Sequence, residues 1–214
     1  MKKVLYIIAG FISLVLIGFG ILAFIFIMEM KPDKEQEQAV MEQGEDYIKE
    51  YLSEDFVVYD ALYDNMGNFE FEYAAMAEQK SSGIQFLIYE DSETGNVTDT
   101  YIAKRWTTEL EKAARPYINK QIPEASDLFA YFEDNAGETF AVDPLAPSSY
   151  TDYEVEPTLW MTISRKAKEE DDQLFNAFID HLQAENILKH GSLIVEYISE
   201  KGELLEEEGW SKEF

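Results

Sequence analysis

The sequence predicts an α+β fold: an amino-terminal transmembrane helix followed by duplicated α-β-β-β units, each with a helix on an antiparallel sheet. Three observations predict it. Positions 4 to 28 form a run of 25 uncharged residues. Beyond this run, segments with apolar residues every three or four positions alternate with segments of period two, the periods of helices and of half-buried strands. The chain also resembles itself at an offset of 70 residues, and such repeats constrain the choice of fold.

The uncharged run from Val4 to Met28 is long enough to cross a bilayer. A hydrocarbon core about 30 Å thick needs roughly 20 apolar helical residues. The alternative is a cleaved signal peptide, because Lys2 and Lys3 precede the run. Secretory apolar segments usually span about 7–15 residues, however, and no A-x-A-like triplet closes this one. We therefore expect an uncleaved anchor whose partner is the membrane lipid bilayer.

The charges that flank the run predict its orientation. Lys2 and Lys3 precede it, whereas acidic and basic residues are mixed from Glu29 onward. Because basic flanks are retained in the cytoplasm, we expect a single-pass cell-membrane protein with a cytoplasmic amino terminus and an extracytoplasmic carboxy-terminal domain. The predicted segments are a cytoplasmic terminus (1–3), the transmembrane helix (4–28), a juxtamembrane stalk (29–38), a first α-β-β-β unit (39–105), a second such unit with a closing helix and strand (106–200), and an acidic tail (201–214).

The composition limits the partners of the domain. The chain has 17 Lys and Arg against 43 Asp and Glu; without Lys2 and Lys3, 15 against 43 remain, a formal charge of −28. This charge repels nucleic acid, which proteins bind through basic residues, so we expect no nucleic-acid partner. A well-solvated surface is the simplest interpretation of the charge, and attraction of a cationic partner is the alternative. The chain has no cysteine, which excludes disulfides, thiolate metal sites and cysteine nucleophiles.

Three segments beyond the anchor have helical periodicity. Their inward residues recur every three or four positions, as on one face of a helix. The first set is Val40, Met41, Gly44, Tyr47, Ile48, Tyr51 and Leu52; the second is Trp106, Leu110, Ala113, Ala114, Tyr117 and Ile118. The third helix is predicted from Glu170 to Leu188. Pro116 is expected to kink or end the second helix, because proline lacks the backbone N–H and clashes with the preceding turn.

Strands are predicted between these helices from period-two patterns and turn residues. They cover Phe56 to Tyr63, Phe69 to Tyr73, Ile84 to Ile88, Val97 to Tyr101, Leu128 to Phe132, Phe140 to Val142, Leu159 to Ile163 and Ser192 to Ile198. Asp64-Asn65-Met66-Gly67-Asn68, the segment 91–96 and the segment 134–137 have the composition of tight turns. An irregular link with Pro144 and Pro147 separates the last strands from the rest.

The internal repeat pairs six identical residues at the offset of 70. The identities are Tyr47-Ile48 with Tyr117-Ile118, Glu54 with Glu124, Asp64-Asn65 with Asp134-Asn135, and Gly67 with Gly137. The predicted order of helix, strand, turn and strand matches as well. We therefore expect the two units to superpose, with Gly67 and Gly137 at equivalent hairpin turns.

The stretch from Tyr89 to Tyr101, YEDSETGNVTDTY, is similar to poorly characterised extracytoplasmic proteins of Bacillus-like bacteria. A helix across an antiparallel sheet, duplicated behind an amino-terminal anchor, resembles the tandem cystatin-like or PepSY-type domains of Gram-positive single-pass membrane proteins. The resemblance covers most of the chain in architecture but has no diagnostic motif. It implies a domain that binds or regulates a partner, and it assigns no functional residue.

A search for catalytic and metal-binding patterns yields no catalytic, cofactor-binding or metal-ligating residue, and we expect no cofactor. His190, next to Gly191, is interpreted as a charge near a helix carboxy terminus rather than as a ligand. The segment that begins at Asp91 lacks the Gly and Glu that an EF-hand requires at its sixth and twelfth positions, so Asp64, Asp91 and Asp134 are interpreted as turn residues. No serine lies in a nucleophile-elbow motif.

Two classes of function remain for a chain with these features. The first is a non-catalytic, membrane-anchored binding or regulatory module that contacts another membrane or cell-envelope protein. The second is an immunity or sequestration protein that neutralises a cationic toxin or peptide, because the acidic field would steer a basic partner toward it. An enzyme is the least favoured class.

Overall fold

The computed structural model describes residues 31–199, 201–205 and 208–214. In these residues the chain is α+β, as predicted. The helices are α1 (Lys34–Tyr51), α2 (Tyr101–Gln121), α3 (Ala136–Thr139) and α4 (Asp171–Ala184), with a 3-10 turn at Tyr150–Asp152. The strands are β1 (Phe56–Tyr63), β2 (Tyr73–Gln79), β3 (Ile84–Glu90), β4 (Val97–Asp99), β5 (Ala125–Tyr131), β6 (Thr158–Ile163), β7 (Ser192–Tyr197) and β8 (Trp210–Glu213).

The predicted cytoplasmic terminus (1–3) and transmembrane helix (4–28) lie outside the described residues. Within the described ranges, no helix combines the length and apolar character that a membrane crossing needs. The predicted stalk (29–38) is shorter than expected, because α1 already begins at Lys34. Asp33 starts the helix: its side chain accepts a hydrogen bond from the Glu35 N–H at 2.8 Å, as N-cap residues do.

The first sheet is an antiparallel meander in the order β1-β2-β3-β4, and α1 packs on it. Val40, Gly44 and Ile48 lie one turn apart on the buried side of α1. A side chain at Gly44 would meet the Ala75 Cβ at 2.6 Å, so glycine is what allows α1 to lie close to β2. The predicted arrangement of a helix on an antiparallel sheet is confirmed for this unit.

The strand predicted from Phe69 to Tyr73 is wrong, because β2 begins only at Tyr73. The segment 64–72 is a folded loop instead. Its first residue, Asp64, accepts hydrogen bonds from the backbone N–H groups of Met66 and Phe69. These bonds hold the alternating residues in a turn, where they cannot extend the β1–β2 ladder.

The prediction of a second α-β-β-β unit with an antiparallel sheet is wrong in its strand pairing. The second sheet has the order β5-β6-β7-β8. β5 and β6 are antiparallel, but β6 and β7 run parallel and α4 connects them. The strand predicted from Phe140 to Val142 does not form. Ala141 has a positive φ of 50°, which interrupts an extended backbone, and residues 140–157 form an irregular connection before β6.

The equivalence predicted from the 70-residue repeat holds for the helix and the first strand of each unit only. α1 and α2 end 70 residues apart, at Tyr51 and Gln121, and each is followed by a buried residue and a strand. The predicted equivalence of Gly67 and Gly137 is wrong. Gly67 has a positive φ of 69° in the β1–β2 loop. Gly137 lies in α3, where a side chain would come within 3.1 Å of Ile102, so it serves close helix packing and not a hairpin.

Helix α2 links the two sheets through one continuous core. Its first turn places Tyr101 edge-on against Phe56 at 5.0 Å, and one turn later Trp106 packs against Phe132 of the second unit. Of the two expectations for Pro116, a kink or the end of the helix, the second is wrong: α2 continues to Gln121. The buried Ile118 lies beyond the proline, and its packing stabilises that last turn.

The prediction of an acidic tail at 201–214 is wrong for the last residues of this segment. Trp210–Glu213 forms β8, which pairs antiparallel with β7. The Trp210 ring packs on Phe175 at 5.1 Å, and its Nε1–H donates to Asp172. The tryptophan therefore provides the apolar contact that holds an otherwise acidic segment against the domain.

Candidate binding groove

A groove of about 850 Å³ opens where the first unit meets the second. One wall is the carboxy-terminal half of α1, and the other consists of β4, the start of α2 and residues 137–144. The residues that line it are Gln43, Asp46, Tyr47, Glu50, Tyr51, Asn96, Val97, Thr98, Asp99, Ile102, Gly137, Glu138, Val142 and Pro144. We call this site the Tyr47 groove.

The α1 wall has an aromatic surface because Tyr47 and Tyr51 are one helical turn apart. Side chains at positions i and i+4 meet on a helix surface, and the two ring centroids are 4.9 Å apart. Tyr47 is half-buried, whereas Tyr51 is 54% exposed. The groove thus presents one fixed ring and one accessible ring to any molecule that enters it.

The opposite wall is held to α1 by a hydrogen bond. The Tyr47 hydroxyl donates to Oδ2 of Asp99 at 2.7 Å, and Oδ1 of Asp99 accepts from the Tyr101 N–H at 2.7 Å. Asp99 therefore fixes the position of α1 and the start of α2 with the same carboxylate. Thr100, the residue between them, is fully buried.

Burial raises the pKa of Asp99, although the bonds from Tyr47 and Tyr101 act in the opposite direction. Burial and the neighbouring Asp99 carboxylate raise the pKa of the Tyr47 hydroxyl well above its usual range. At neutral pH the tyrosine stays protonated and donates, so this pair acts as a structural clamp. The phenolate, the form that could act as a nucleophile or base, is therefore scarcely populated at neutral pH.

The electrostatic character of the Tyr47 groove is acidic. Asp46, Glu50, Asp99 and Glu138 line it, and no lysine or arginine is among its lining residues. Asp46 is paired with Lys49 of α1 at 3.0 Å. Carboxylates beside an accessible tyrosine ring are the groups that bind ammonium and guanidinium ions, by charge pairing and by cation–π attraction.

The residues considered from sequence do not converge on one site. Asp64 and Asp91 each accept backbone hydrogen bonds inside their own turns, and Asp134 pairs with Lys104 at 3.6 Å. Within the residues that the structure describes, no group of three His, Asp or Glu could hold a metal ion.

The two histidines lie in different places. His181, in the last turn of α4, stacks on Tyr117 at 4.4 Å. His190 was expected near a helix end, but α4 ends at Ala184, so this expectation is wrong. His190 lines a smaller cavity of about 260 Å³ beside the 3-10 turn.

A second polar cluster is closed and structural. The Arg165 guanidinium donates to both Asp171 oxygens at 2.7 Å, and the Tyr197 hydroxyl donates to Oδ2 of Asp171 at 2.7 Å. Asp171 is 3% exposed. The cluster joins the end of β6, the start of α4 and the end of β7.

Sequence reasoning placed Tyr47 and Tyr51 on the inward face of a helix and did not single out Asp99. One signal was present: Asp99-Thr100 stands directly before a helical period, where an acidic side chain satisfies free N–H groups. The pairing with Tyr47, which is 52 residues away, has no local signature. The sequence matches no family model, no curated protein and no solved structure.

Proposed function

We propose that this protein is a membrane-anchored, extracytoplasmic binding or regulatory module that contacts another membrane or cell-envelope protein through the Tyr47 groove. In this proposal residues 4–28 span the cell membrane once and the amino terminus is cytoplasmic. The observation that carries the proposal is the groove itself: it is open, it contains the half-exposed Tyr51, and it is lined by carboxylates without a basic residue.

A non-catalytic role is consistent with the chemistry of the groove. Two of its half-buried polar groups are hydrogen-bonded: the Tyr47 hydroxyl donates to the Asp99 carboxylate, which also accepts from the α2 backbone. They are therefore committed to structure. The helix on a four-stranded antiparallel sheet in the first unit is also the arrangement that a cystatin-like or PepSY-type relationship implies, and such domains bind partners.

The alternative is an immunity or sequestration protein that neutralises a cationic toxin or peptide. The four acidic residues of the groove and the formal charge of −28 favour it, because complementary charge accelerates encounter with a basic partner. The two proposals share the groove and differ in the identity of its occupant.

Site-specific photo-cross-linking in the host membrane tests both proposals. A photoreactive amino acid replaces Tyr51 in the full chain, and the control places it at Tyr59, which is 40% exposed on β1 and outside the groove. We expect a discrete adduct from position 51 that Glu50→Lys weakens. An adduct with a membrane or envelope protein supports the regulatory module, and one with a small basic protein supports neutralisation. The same adducts from both positions, or none from position 51, would contradict a role for the groove.

The topology is tested separately. A reporter that is active only outside the cytoplasm, fused after Phe214, should be active while the anchor stays attached. Recovery of a mature protein that begins near Met30 would contradict the anchor.

A further inference from the structure

The β1–β2 loop, residues 64–72, exposes two large apolar side chains. Met66 is 77% exposed and Phe69 is 45% exposed. Soluble surfaces carry single apolar residues without consequence, but these two lie three residues apart at the tip of one loop. Acidic residues flank them, since Glu70 and Glu72 follow directly.

The loop holds these side chains in a fixed shape. The carboxylate of Asp64 accepts hydrogen bonds from the N–H groups of Met66 at 3.0 Å and Phe69 at 2.7 Å. The Phe69 ring stacks on Phe71 at 5.0 Å, and Phe71 contacts Tyr89 of β3 at 4.6 Å. The exposed residues therefore stand on a scaffold of hydrogen bonds and rings that continues into the sheet.

The position of the loop relative to α1 indicates what it faces. The N–H of Asp33, the residue that starts α1, donates to the Tyr73 hydroxyl at 2.9 Å. Tyr73 stacks on Tyr63 at 4.8 Å, and these two residues form the strand pair at the base of the loop. The loop and the first turn of α1 thus lie at the same end of the domain.

That end is the one tethered to the bilayer under the proposed topology. Asp33 is five residues beyond Met28, the last residue of the proposed span, and five extended residues cover at most about 17 Å. The polar head-group layer on each side of a bilayer is roughly 5–8 Å thick. The start of α1, and the loop beside it, are therefore held within reach of the lipid interface.

We propose that the β1–β2 loop is a second membrane contact, in which Met66 and Phe69 enter the interfacial layer of the bilayer that holds residues 4–28. The inference rests on the proposed anchor. Apolar side chains such as Phe on an interfacial segment bury themselves at the boundary between head groups and acyl chains. Glu70 and Glu72 disfavour anionic head groups, so the contact is with zwitterionic lipid. With the anchor and the loop as two points of attachment, the domain has a restricted orientation on the membrane.

The absence of cysteine from the chain allows a direct test. Met66→Cys is made in the full chain, labelled with an environment-sensitive fluorophore and reconstituted into phosphatidylcholine nanodiscs whose lipids carry quenchers near the head group and along the acyl chain, so that both the interfacial layer and the centre of the bilayer are sampled. Leu145→Cys is the matched control, because Leu145 is 58% exposed in the second unit. Phe19→Cys reports the anchor. We expect loss of fluorescence at positions 66 and 19 and none at 145, and Phe69→Ser should weaken the loss at 66.

The outcomes separate the loop from the anchor. Quenching at position 19 with none at 66 would overturn the membrane-contact loop and leave the anchor intact. No quenching at position 19 would overturn the anchor, and the loop proposal with it. Equal quenching at 66 and 145 would show that collision with the bilayer is not specific to the loop, and it would overturn the proposal as well.

Discussion

The Tyr47 hydroxyl donates a 2.7 Å hydrogen bond to Asp99 across 52 residues of sequence, and this bond joins α1 to the start of α2. The same carboxylate accepts the Tyr101 N–H. The groove therefore depends on an interaction that also stabilises the fold, and changes to the two residues should affect both.

Tyr47→Phe should destabilise the fragment 31–214 while leaving its ring packing intact. It removes the side-chain donor to a half-buried carboxylate, and a hydrogen bond to a charged group contributes about 1.5–3 kcal/mol. Urea unfolding followed by circular dichroism measures the loss. Tyr51→Phe is the control and should change stability by less than about 0.5 kcal/mol, because its hydroxyl is at an exposed position. Equal stability of the two variants would contradict the clamp.

Asp171→Asn should cost about 3 kcal/mol, because it leaves Arg165 without its buried partner. Glu170→Gln is the control: it removes one charge from the neighbouring exposed position and should cost little. Comparison of the two variants by urea unfolding at neutral pH gives the cost of the buried pair.

The cost of Asp171→Asn should also depend on pH. Burial favours a higher pKa for Asp171, but hydrogen bonds from Arg165 and Tyr197 outweigh it and lower the pKa to about 2. A carboxyl with a depressed folded pKa contributes stability above its unfolded value near 3.8 and loses it as the pH falls toward 2. The difference between wild type and Asp171→Asn should therefore be constant from pH 5 to 7 and shrink below pH 4. A difference that stays constant down to pH 2 would argue against the assigned ion pair.

The local periods predicted much of this fold. The spacing around Ile48, Trp106 and Phe178 predicted three helices and their buried faces, and alternation predicted β3 and β6 closely. The parallel pairing of β6 with β7 was missed, because pairing depends on contacts between distant strands and not on the pattern within each one. The turn at residues 64–68 was predicted, but the continuation of the β1–β2 loop to residue 72 was missed, because the hydrogen bonds of Asp64 override an alternating pattern that fits a strand. The groove was missed since its walls come from segments about 50 and 90 residues apart in sequence, and spacing along the chain does not report such contacts.

Gly44→Ala should destabilise the first unit even though alanine is the better helix former by about 1 kcal/mol. The new methyl group would lie 2.6 Å from the Ala75 Cβ, and overpacking a core typically costs about 1–3 kcal/mol. Ala75→Gly removes the opposing methyl group, so the double variant should be more stable than the sum of the single effects predicts. A stabilising Gly44→Ala would mean that α1 can move away from β2 at no cost.

Side chains from α2 cover the open edge of β5. Loss of this cover should allow self-association of the protein through that edge. Thr107 and Arg115 donate to the carbonyl oxygens of Ala130 and Leu128, and Glu111 accepts from the Ala130 N–H. The three side chains are four residues apart along one helix face, and such coverage protects an edge strand from pairing with another chain.

Glu111→Ala combined with Arg115→Ala should therefore expose the β5 edge without changing the net charge. Unpaired backbone groups at an edge favour strand pairing between molecules, so the double variant of the fragment 31–214 should form dimers or larger species whose share rises with concentration. Sedimentation velocity measures that share. Thr108→Ala with Asn119→Ala, two exposed positions on the same helix, is the neutral control and should leave the association state of the fragment unchanged. If both double variants sediment alike at every concentration, the α2 side chains do not protect the edge, and their bonds to β5 contribute only to stability.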